Sequence, residues 1–210
     1  MTAPYLRVFD NGSSTIHEYQ ITTARPGDVP ALPAIELAAA RLLAGQAPER
    51  VLSEATSEAK LAAAQRRGLL WLALASDAPV GFAHIELVEP GAAHLVELDV
   101  HPDHGRRGLG TRLVMTVCAW ASANGYHRVT LTTFRDVPWN MPFYARLGFE
   151  EIAQRELTPP LRSILDEEAR QGLDPDRRVA MQRPSRPGDG DWPDFANLRA
   201  SRLQSYSGPA

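Results

Sequence analysis

Short apolar or alternating segments, separated by turns that contain Gly, Pro or Asp, predict six to seven β-strands along the chain. The clearest hairpin signal is the Asp77-Ala78-Pro79 turn, because it lies between two such segments. The expected strands cover residues 19–23, 69–75, 80–88, 94–100, 129–134, 150–156 and, at the C-terminal edge, 178–182.

Apolar residues spaced three or four positions apart predict helices between these strands. The longest pattern runs from residue 49 to residue 67, and Gly68 marks its C-terminal end. The expected helices cover residues 35–43, 49–67, 108–124, 138–147 and 161–171. Residues 94–134 thus form a strand, a helix and a second strand, which predicts two neighbouring parallel strands joined by a right-handed crossover.

A Gly-Arg turn joins the strand of this unit to its helix, in the segment VHPDHGRRGLGTRL that begins at Val100. A glycine-rich turn at a helix N-terminus presents several free backbone N–H groups in one direction. The helix macrodipole adds partial positive charge at the same place. The turn therefore predicts a site for a phosphate or pyrophosphate.

Two common phosphate-binding loops do not match this turn. A nucleotide P-loop needs Lys followed by Ser or Thr after its glycines, whereas Gly110 is followed by Thr111 and Arg112. The dinucleotide fingerprint needs a third glycine, and Leu113 stands at that position. The pattern therefore indicates a different phosphate-bearing cofactor.

The composition is ordinary for a globular protein, with 210 residues, 44% hydrophobic residues and a formal net charge of −3. This slightly acidic balance argues against a nucleic-acid partner, since dedicated nucleic-acid binders are usually basic. Cys118 is the one cysteine, which excludes an internal disulfide and favours a reducing, cytoplasmic location. No apolar run approaches the ~20 residues that a membrane span needs, so we expect no membrane partner.

We expect three parts along the chain. Residues 1–17 are interpreted as an N-terminal arm, residues 18–183 as one folded domain, and residues 184–210, rich in Pro, Gly, Asp and Ser, as a flexible tail. Trp192 and Phe195 are unusual in such a tail. Docking of these side chains on the domain or on a second subunit, as in a homodimer, stays open beside a chance occurrence.

Three segments in order resemble the Gcn5-related N-acetyltransferase (GNAT) superfamily: VHPDHGRRGLGTRL, the strand VTLTTF and the later FYARLGFEE. The resemblance covers residues 19–182. It implies the GNAT fold, an α/β (α+β) architecture with a central mixed, mostly antiparallel twisted sheet of six to seven strands. A parallel pair would lie at the centre of that sheet, and four to five helices would flank it. The implied acyl donor is acetyl-coenzyme A.

The resemblance also implies which residues bind the coenzyme. The backbone of Leu98, Asp99 and Val100 would pair with the pantetheine arm like an added strand. The pyrophosphate would lie on the N–H groups of the turn, which belong to Arg106, Arg107, Gly108, Leu109, Gly110 and Thr111.

Two positions depart from the family pattern. Gly105 stands where the family has Gln or Arg, and Arg106 and Arg107 are expected to supply the positive charge instead. Val137 stands where an Asn often contacts pantetheine. Asn140 is expected either to take over that contact or to cap a short helix.

Acetyl transfer to an amine needs a neutral amine, a donor for the oxyanion and a proton for the leaving thiolate. The resemblance implies that Tyr144 supplies the last of these as general acid. For the base, His94 and Glu97 remain alternatives, and a water chain without a single base is a third. Alternation along the strand predicts that the His94 and Glu97 side chains lie on opposite faces.

We therefore expect an acetyl-CoA-dependent N-acetyltransferase that transfers the acetyl group directly to an amine in a ternary complex. A small-molecule amine is favoured over a protein N-terminus as acceptor. The alternative is a non-catalytic module that binds or senses acyl-CoA. No metal is expected, since the pattern of His101, Asp103 and His104 is a weak metal signal.

Overall fold

A computed structural model describes residues 19–185 of the chain, which form a single seven-stranded sheet flanked by helices. The predicted arm and nearly all of the predicted tail, with Trp192 and Phe195, lie outside the described residues. The strands are β1 (Tyr19–Thr23), β2 (Leu70–Ala75), β3 (Ala78–Glu89), β4 (Ala92–Val100), β5 (Arg128–Phe134), β6 (Glu150–Glu151) and β7 (Arg178–Pro184).

The strands lie in the order β1-β2-β3-β4-β5-β7-β6. Strands β4 and β5 are parallel, and every other neighbouring pair is antiparallel. This arrangement confirms the predicted fold class, with its parallel pair at the centre of a mostly antiparallel sheet. The parallel pair exists because the helix between β4 and β5 crosses one face of the sheet, as the sequence predicts.

Helices cover both faces of the sheet. They are α1 (Leu32–Ala40), α2 (Glu49–Ser53), α3 (Glu58–Arg66), α4 (Leu109–Ala123), α5 (Met141–Arg146) and α6 (Pro159–Arg170). On one face, Trp120 of α4 contacts Trp71 of β2, with ring centroids 5.5 Å apart. On the other face, Lys60 of α3 pairs with Glu86 of β3 at 3.0 Å. No helix within residues 19–185 is both long enough and apolar enough to cross a bilayer.

The single helix predicted over residues 49–67 is wrong, because the chain leaves the helical conformation between α2 and α3. The Ser57 hydroxyl accepts a hydrogen bond from the Lys60 N–H at 3.3 Å, which gives α3 an N-cap of its own. The predicted strand over 150–156 is also shorter, since β6 is followed by a 3-10 turn at Gln154–Glu156. The loop between α2 and α3 approaches α1, which matters for the site below.

Candidate active site

The parallel strands β4 and β5 pair over four residues and then separate. Their register runs from Ala92 opposite Arg128 to Leu95 opposite Leu131. Beyond Leu95, β4 continues to Val100 and stays paired with β3 on its other side. The second half of β4 therefore faces β5 with a backbone edge to which an extended ligand can add hydrogen bonds.

The Gly-Arg turn follows this end of β4 and leads into α4. Gly108 is the N-cap residue of the helix, with a φ of 76°, and Arg106 also has a positive φ of 56°. The Arg112 N–H donates to the Gly108 carbonyl at 3.0 Å, so helical bonding starts there and the three preceding N–H groups belong to the free first turn. Because Arg106, Arg107 and Gly108 are exposed, the N-terminal end of α4 is open to solvent, as the predicted anion site requires.

Tyr19, at the start of β1, anchors this turn. Its hydroxyl lies 3.0 Å from Nδ1 of His104, and its carbonyl accepts from the Arg112 guanidinium at 3.1 Å. The Arg107 guanidinium lies 6.0 Å from the centre of the Tyr19 ring. Sequence analysis missed this anchor, since no local pattern relates Tyr19 to a turn 85 residues later.

Packing accounts for both departures from the family pattern. The Gly105 N–H donates to the Pro102 carbonyl at 3.0 Å, and a Cβ at Gly105 would lie 3.0 Å from that oxygen. Glycine therefore suits the tight turn better than Gln or Arg. Val137 is fully buried beside Phe134 and Leu173, where an amide would need a partner.

Asn140 precedes α5, and its carbonyl accepts from the N–H groups of Phe143 at 2.9 Å and Tyr144 at 3.2 Å. Its side chain makes no capping hydrogen bond. The structure therefore does not support the capping interpretation of this side chain. Contact of the Asn140 amide with a ligand stays a prediction.

A β-bulge in β4 places His94 and Glu97 on the same face of the sheet. Glu97 lies opposite His84 and His94 lies opposite Glu86, so Val96 is an extra residue between these pairs. His84 and Glu86 share a face because they are two residues apart in β3. The predicted placement of His94 and Glu97 on opposite faces is therefore wrong.

Glu97 and Asp99 carry desolvated carboxyl groups on this face, although both residues keep some exposed surface. Burial and, next, the Glu36 carboxylate raise the pKa of Glu97 to about 8. Burial also raises the pKa of Asp99, with further contributions from Glu97 and Glu36. A carboxyl with a pKa near 8 is basic enough to take a proton from an ammonium group.

His94 lies deeper, between the sheet and its helices, with 3% of its surface exposed. Its Nδ1 lies 3.0 Å from the Thr130 hydroxyl of β5. Burial lowers the pKa of His94 to about 4, against a smaller raising effect of the Glu168, Glu86 and Glu89 carboxylates. The ring is therefore neutral at neutral pH and a weak base.

Tyr144 lies on α5, half-buried, with its ring 5.0 Å from that of Phe143 and 5.8 Å from that of Phe149. Burial raises the pKa of its hydroxyl, and the carboxyl groups of Asp99 and Glu97 raise it further. The phenol therefore stays protonated at neutral pH. Glu97, which the sequence analysis singled out separately, thus acts electrostatically on Tyr144.

The side chains at His101, Asp103 and His104 have local roles. His101 Nδ1 accepts from the Asp103 N–H at 3.3 Å, while His104 contacts Tyr19 as described. Within residues 19–185, no group of three or more His, Cys, Asp or Glu side chains is placed to hold a metal ion.

The fold and the site define an α/β protein whose sheet opens at its centre. A turn with free backbone N–H groups follows the open half of β4, and a protonated phenol is under the electrostatic influence of a carboxyl group with a raised pKa. The family model described as the acetyltransferase (GNAT) family matches residues 37–149, more than half of the chain. The protein therefore belongs to the GNAT family of acetyltransferases.

Individual relatives are more distant. A mycothiol acetyltransferase of Acidothermus cellulolyticus is 29% identical over 138 residues, which cover 59% of this chain and 41% of that relative. The chain thus matches less than half the length of this curated relative.

Many solved structures share the fold, including the two that follow. The PaiA N-acetyltransferase of Thermoplasma acidophilum, crystallised with coenzyme A, is 16% identical with a TM-score of 0.61, covering 80% of this chain and 99% of that chain. The N-acetylglutamate synthase of Neisseria gonorrhoeae, complexed with coenzyme A and N-acetyl-glutamate, is 19% identical with a TM-score of 0.63. That match covers 81% of this chain and 36% of that chain.

Proposed function

We propose that this acetyltransferase transfers the acetyl group of acetyl-CoA directly to a small-molecule primary amine in a ternary complex. The observation that carries the proposal is the separation of β4 from β5 beyond Leu95. This separation leaves one edge of β4 open. The open edge, the N-terminus of α4 and the Tyr144 hydroxyl together make up the proposed site.

Two parts of coenzyme A, the pantetheine arm and the pyrophosphate, bind at this opening in the proposed complex. Amide groups of the pantetheine arm pair with the backbone of Leu98, Asp99 and Val100. The pyrophosphate lies on the N–H groups of the turn from Arg106 to Thr111, with the helix dipole behind it. Both structural neighbours described above were crystallised with coenzyme A, which supports the choice of donor.

Glu97 is the proposed general base, in preference to His94. Its carboxyl has a pKa of about 8, whereas that of the His94 imidazole is about 4. The ionised carboxylate takes a proton from the acceptor ammonium, and the neutral amine then attacks the thioester carbon.

In the attack, a C–N bond forms as the carbonyl becomes an oxyanion, which backbone N–H groups on the open edge of β4 can stabilise. When this intermediate collapses, the C–S bond breaks. The thiolate of coenzyme A takes the hydroxyl proton of Tyr144. The acceptor nitrogen loses its second proton, which returns to the Tyr144 phenolate through solvent, and the proton held by Glu97 passes to bulk solvent. The products are the acetylated amine and free coenzyme A.

Direct transfer is supported by the position of the one thiol. Cys118 is fully buried within α4, so an acyl-cysteine intermediate lacks an accessible nucleophile. The alternative of a non-catalytic binding module is not favoured, because the matched family is one of acetyltransferases. A homodimer and a cytoplasmic location stay predictions, and light scattering of the full chain tests the first.

Replacing Tyr144 with Phe tests the reaction. We expect turnover to fall by about a hundredfold or more, as is typical for loss of a general acid, while the affinity for acetyl-CoA stays nearly unchanged. The measurement is thiol release from acetyl-CoA with a panel of primary amines, together with calorimetric binding of the coenzyme.

Tyr126→Phe is the matched control, because the Tyr126 ring stacks on Trp120 at 5.3 Å, on the face of the sheet that α4 covers. It should keep wild-type turnover. Coenzyme binding without thiol release from any amine in the wild-type protein would favour the binding module. Absence of both binding and release would reject the proposed function.

A further inference from the structure

Glu36 of α1 is a carboxylate fixed by one of its two oxygens. Oε1 accepts from both the N–H (2.9 Å) and the hydroxyl (3.1 Å) of Thr56, in the loop between α2 and α3. Oε2 is buried and has no hydrogen-bond partner among the described residues. Among the described residues, the second oxygen therefore lacks a partner, and it lies on the helix that packs against β3 and β4.

Two further polar atoms, in β3 and β4, are also buried without a partner in the described structure. They are Oδ2 of Asp99 and Nδ1 of His84, whose residue is 2% exposed. His84 lies directly opposite Glu97 in the sheet, so its ring shares the face of the carboxyl groups. Buried polar atoms are nearly always hydrogen-bonded in native proteins. Three such atoms from α1, β3 and β4 therefore indicate the binding site of a polar ligand.

The negative charge of this region indicates that the ligand is positively charged. Beyond the effect of burial, the Glu36 carboxylate raises the pKa of Glu97, and the Glu97 and Glu36 carboxylates raise the pKa of Asp99 by like-charge repulsion. The two nearest cations have partners elsewhere. Lys60 pairs with Glu86 at 3.0 Å, and Arg178 pairs with Glu168 at 2.8 Å. The three carboxyl groups thus lack a dedicated cationic partner in the described chain.

Space for a ligand lies beside His84. A pocket of about 160 Å³ opens beneath α3. His84 lines it together with Lys60, Arg67 and Glu86. His84 is the residue that this pocket shares with the three unpartnered atoms, and none of the three carboxyl groups lines it.

We infer that Glu36, positioned by Thr56, binds the ammonium group of the acceptor and, with Asp99, selects a small alkylamine that is cationic at neutral pH. This inference rests on the proposed function and specifies its substrate class. Glu36 holds the ammonium within reach of Glu97, which then removes the proton. Thr56 acts through Glu36 and is a positioning residue.

The test compares steady-state kinetics of the wild type and Glu36→Gln, with saturating acetyl-CoA and with pentane-1,5-diamine, ethanolamine and β-alanine as acceptors. Glu36→Gln keeps the shape but removes the charge. We expect KM for the cationic amines to rise at least tenfold, with KM for acetyl-CoA unchanged. Thr56→Val removes one of the two donors and should raise the amine KM by a smaller factor.

Glu58→Gln, at an exposed carboxylate in the first turn of α3, is the matched control and should match the wild type. An amine KM within twofold of the wild type in both Glu36→Gln and Thr56→Val would overturn the inference. So would an equal loss of melting temperature and acetyl-CoA binding in both variants, since that pattern defines a structural role. A wild type that binds acetyl-CoA but acetylates none of the amines rejects the proposed function itself, and the inference with it.

Discussion

At the scale of single residues, burial changes which of two side chains, His94 or Glu97, is the stronger base. Histidine ordinarily titrates near neutral pH and glutamate well below it. Inside this site the order is reversed, because the buried His94 favours its neutral form and the buried Glu97 favours its protonated form. The stronger base of the two is therefore the carboxylate.

This reversal predicts the pH dependence of the reaction. Glu97 must be ionised to accept a proton, so kcat/KM for the amine should rise with pH and level off above about 8, the pKa of Glu97. Burial raises this pKa most. Among the charged groups, the Glu36 and Glu168 carboxylates raise it, and Lys60 and Arg178 lower it. The measurement is a pH profile of thiol release between pH 5 and 10, a range chosen to bracket that value.

Two variants test which residue causes the rise of kcat/KM with pH. Glu97→Gln should abolish the rise near pH 8, while His94→Gln should keep it. If His94 were the base, its pKa of about 4 would place the limb below the range measured. A limb near pH 8 that survives Glu97→Gln would contradict the assignment and favour a water chain or the amine itself.

At the scale of elements, the turn before α4 depends on one backbone conformation. Gly108 has a φ of 76°, and a Cβ there would meet no atom within 4 Å. Replacing it with Ala should therefore act through the backbone alone. We expect a loss of about 1–2 kcal/mol in the free energy of unfolding and weaker binding of acetyl-CoA, because strain reorients the N–H groups.

Gly27→Ala is the control for this prediction. A Cβ at Gly27 also meets nothing within 4 Å, and its φ is outside the left-handed region. Urea denaturation and calorimetric titration with acetyl-CoA should show wild-type behaviour for Gly27→Ala. Equal stability of the two variants would show that the φ of Gly108 does not constrain the turn.

At the scale of the whole molecule, local patterns predict most of the fold and part of the site. The Gly-Arg turn and the parallel pair follow from spacing along the chain, because each depends on neighbouring residues, whereas Tyr144 is singled out by the resemblance to the GNAT superfamily. The break before Ser57 had a local signal, an N-cap serine followed by Glu58, but the apolar spacing obscured it. The bulge at Val96 and the hydrogen bond from Thr56 to Glu36 depend on contacts between distant segments. The spacing of apolar residues and the composition do not encode such contacts.

Because the site is assembled from distant segments, donor binding should stabilise the entire domain. The proposed contacts come from β4, α4 and α5, and Tyr19 ties β1 to the same turn. A ligand that binds only the folded state adds about 2.7 kcal/mol at a hundred times its Kd. In a chain of this length that corresponds to a rise of roughly 5–11 °C in Tm, measurable by calorimetry.

Comparing the Tm shifts caused by pantetheine and by coenzyme A then separates the contribution of the pantetheine arm from that of the pyrophosphate. Pantetheine can still pair with the open edge of β4, but it lacks the pyrophosphate that the N-terminus of α4 is proposed to hold. At equal concentration it should shift Tm much less than coenzyme A does, since anion binding at the helix terminus is lost. Equal shifts would show that the Gly-Arg turn contributes little to donor binding. The turn would then be a structural connection between β4 and α4, and the phosphate groups would lie elsewhere.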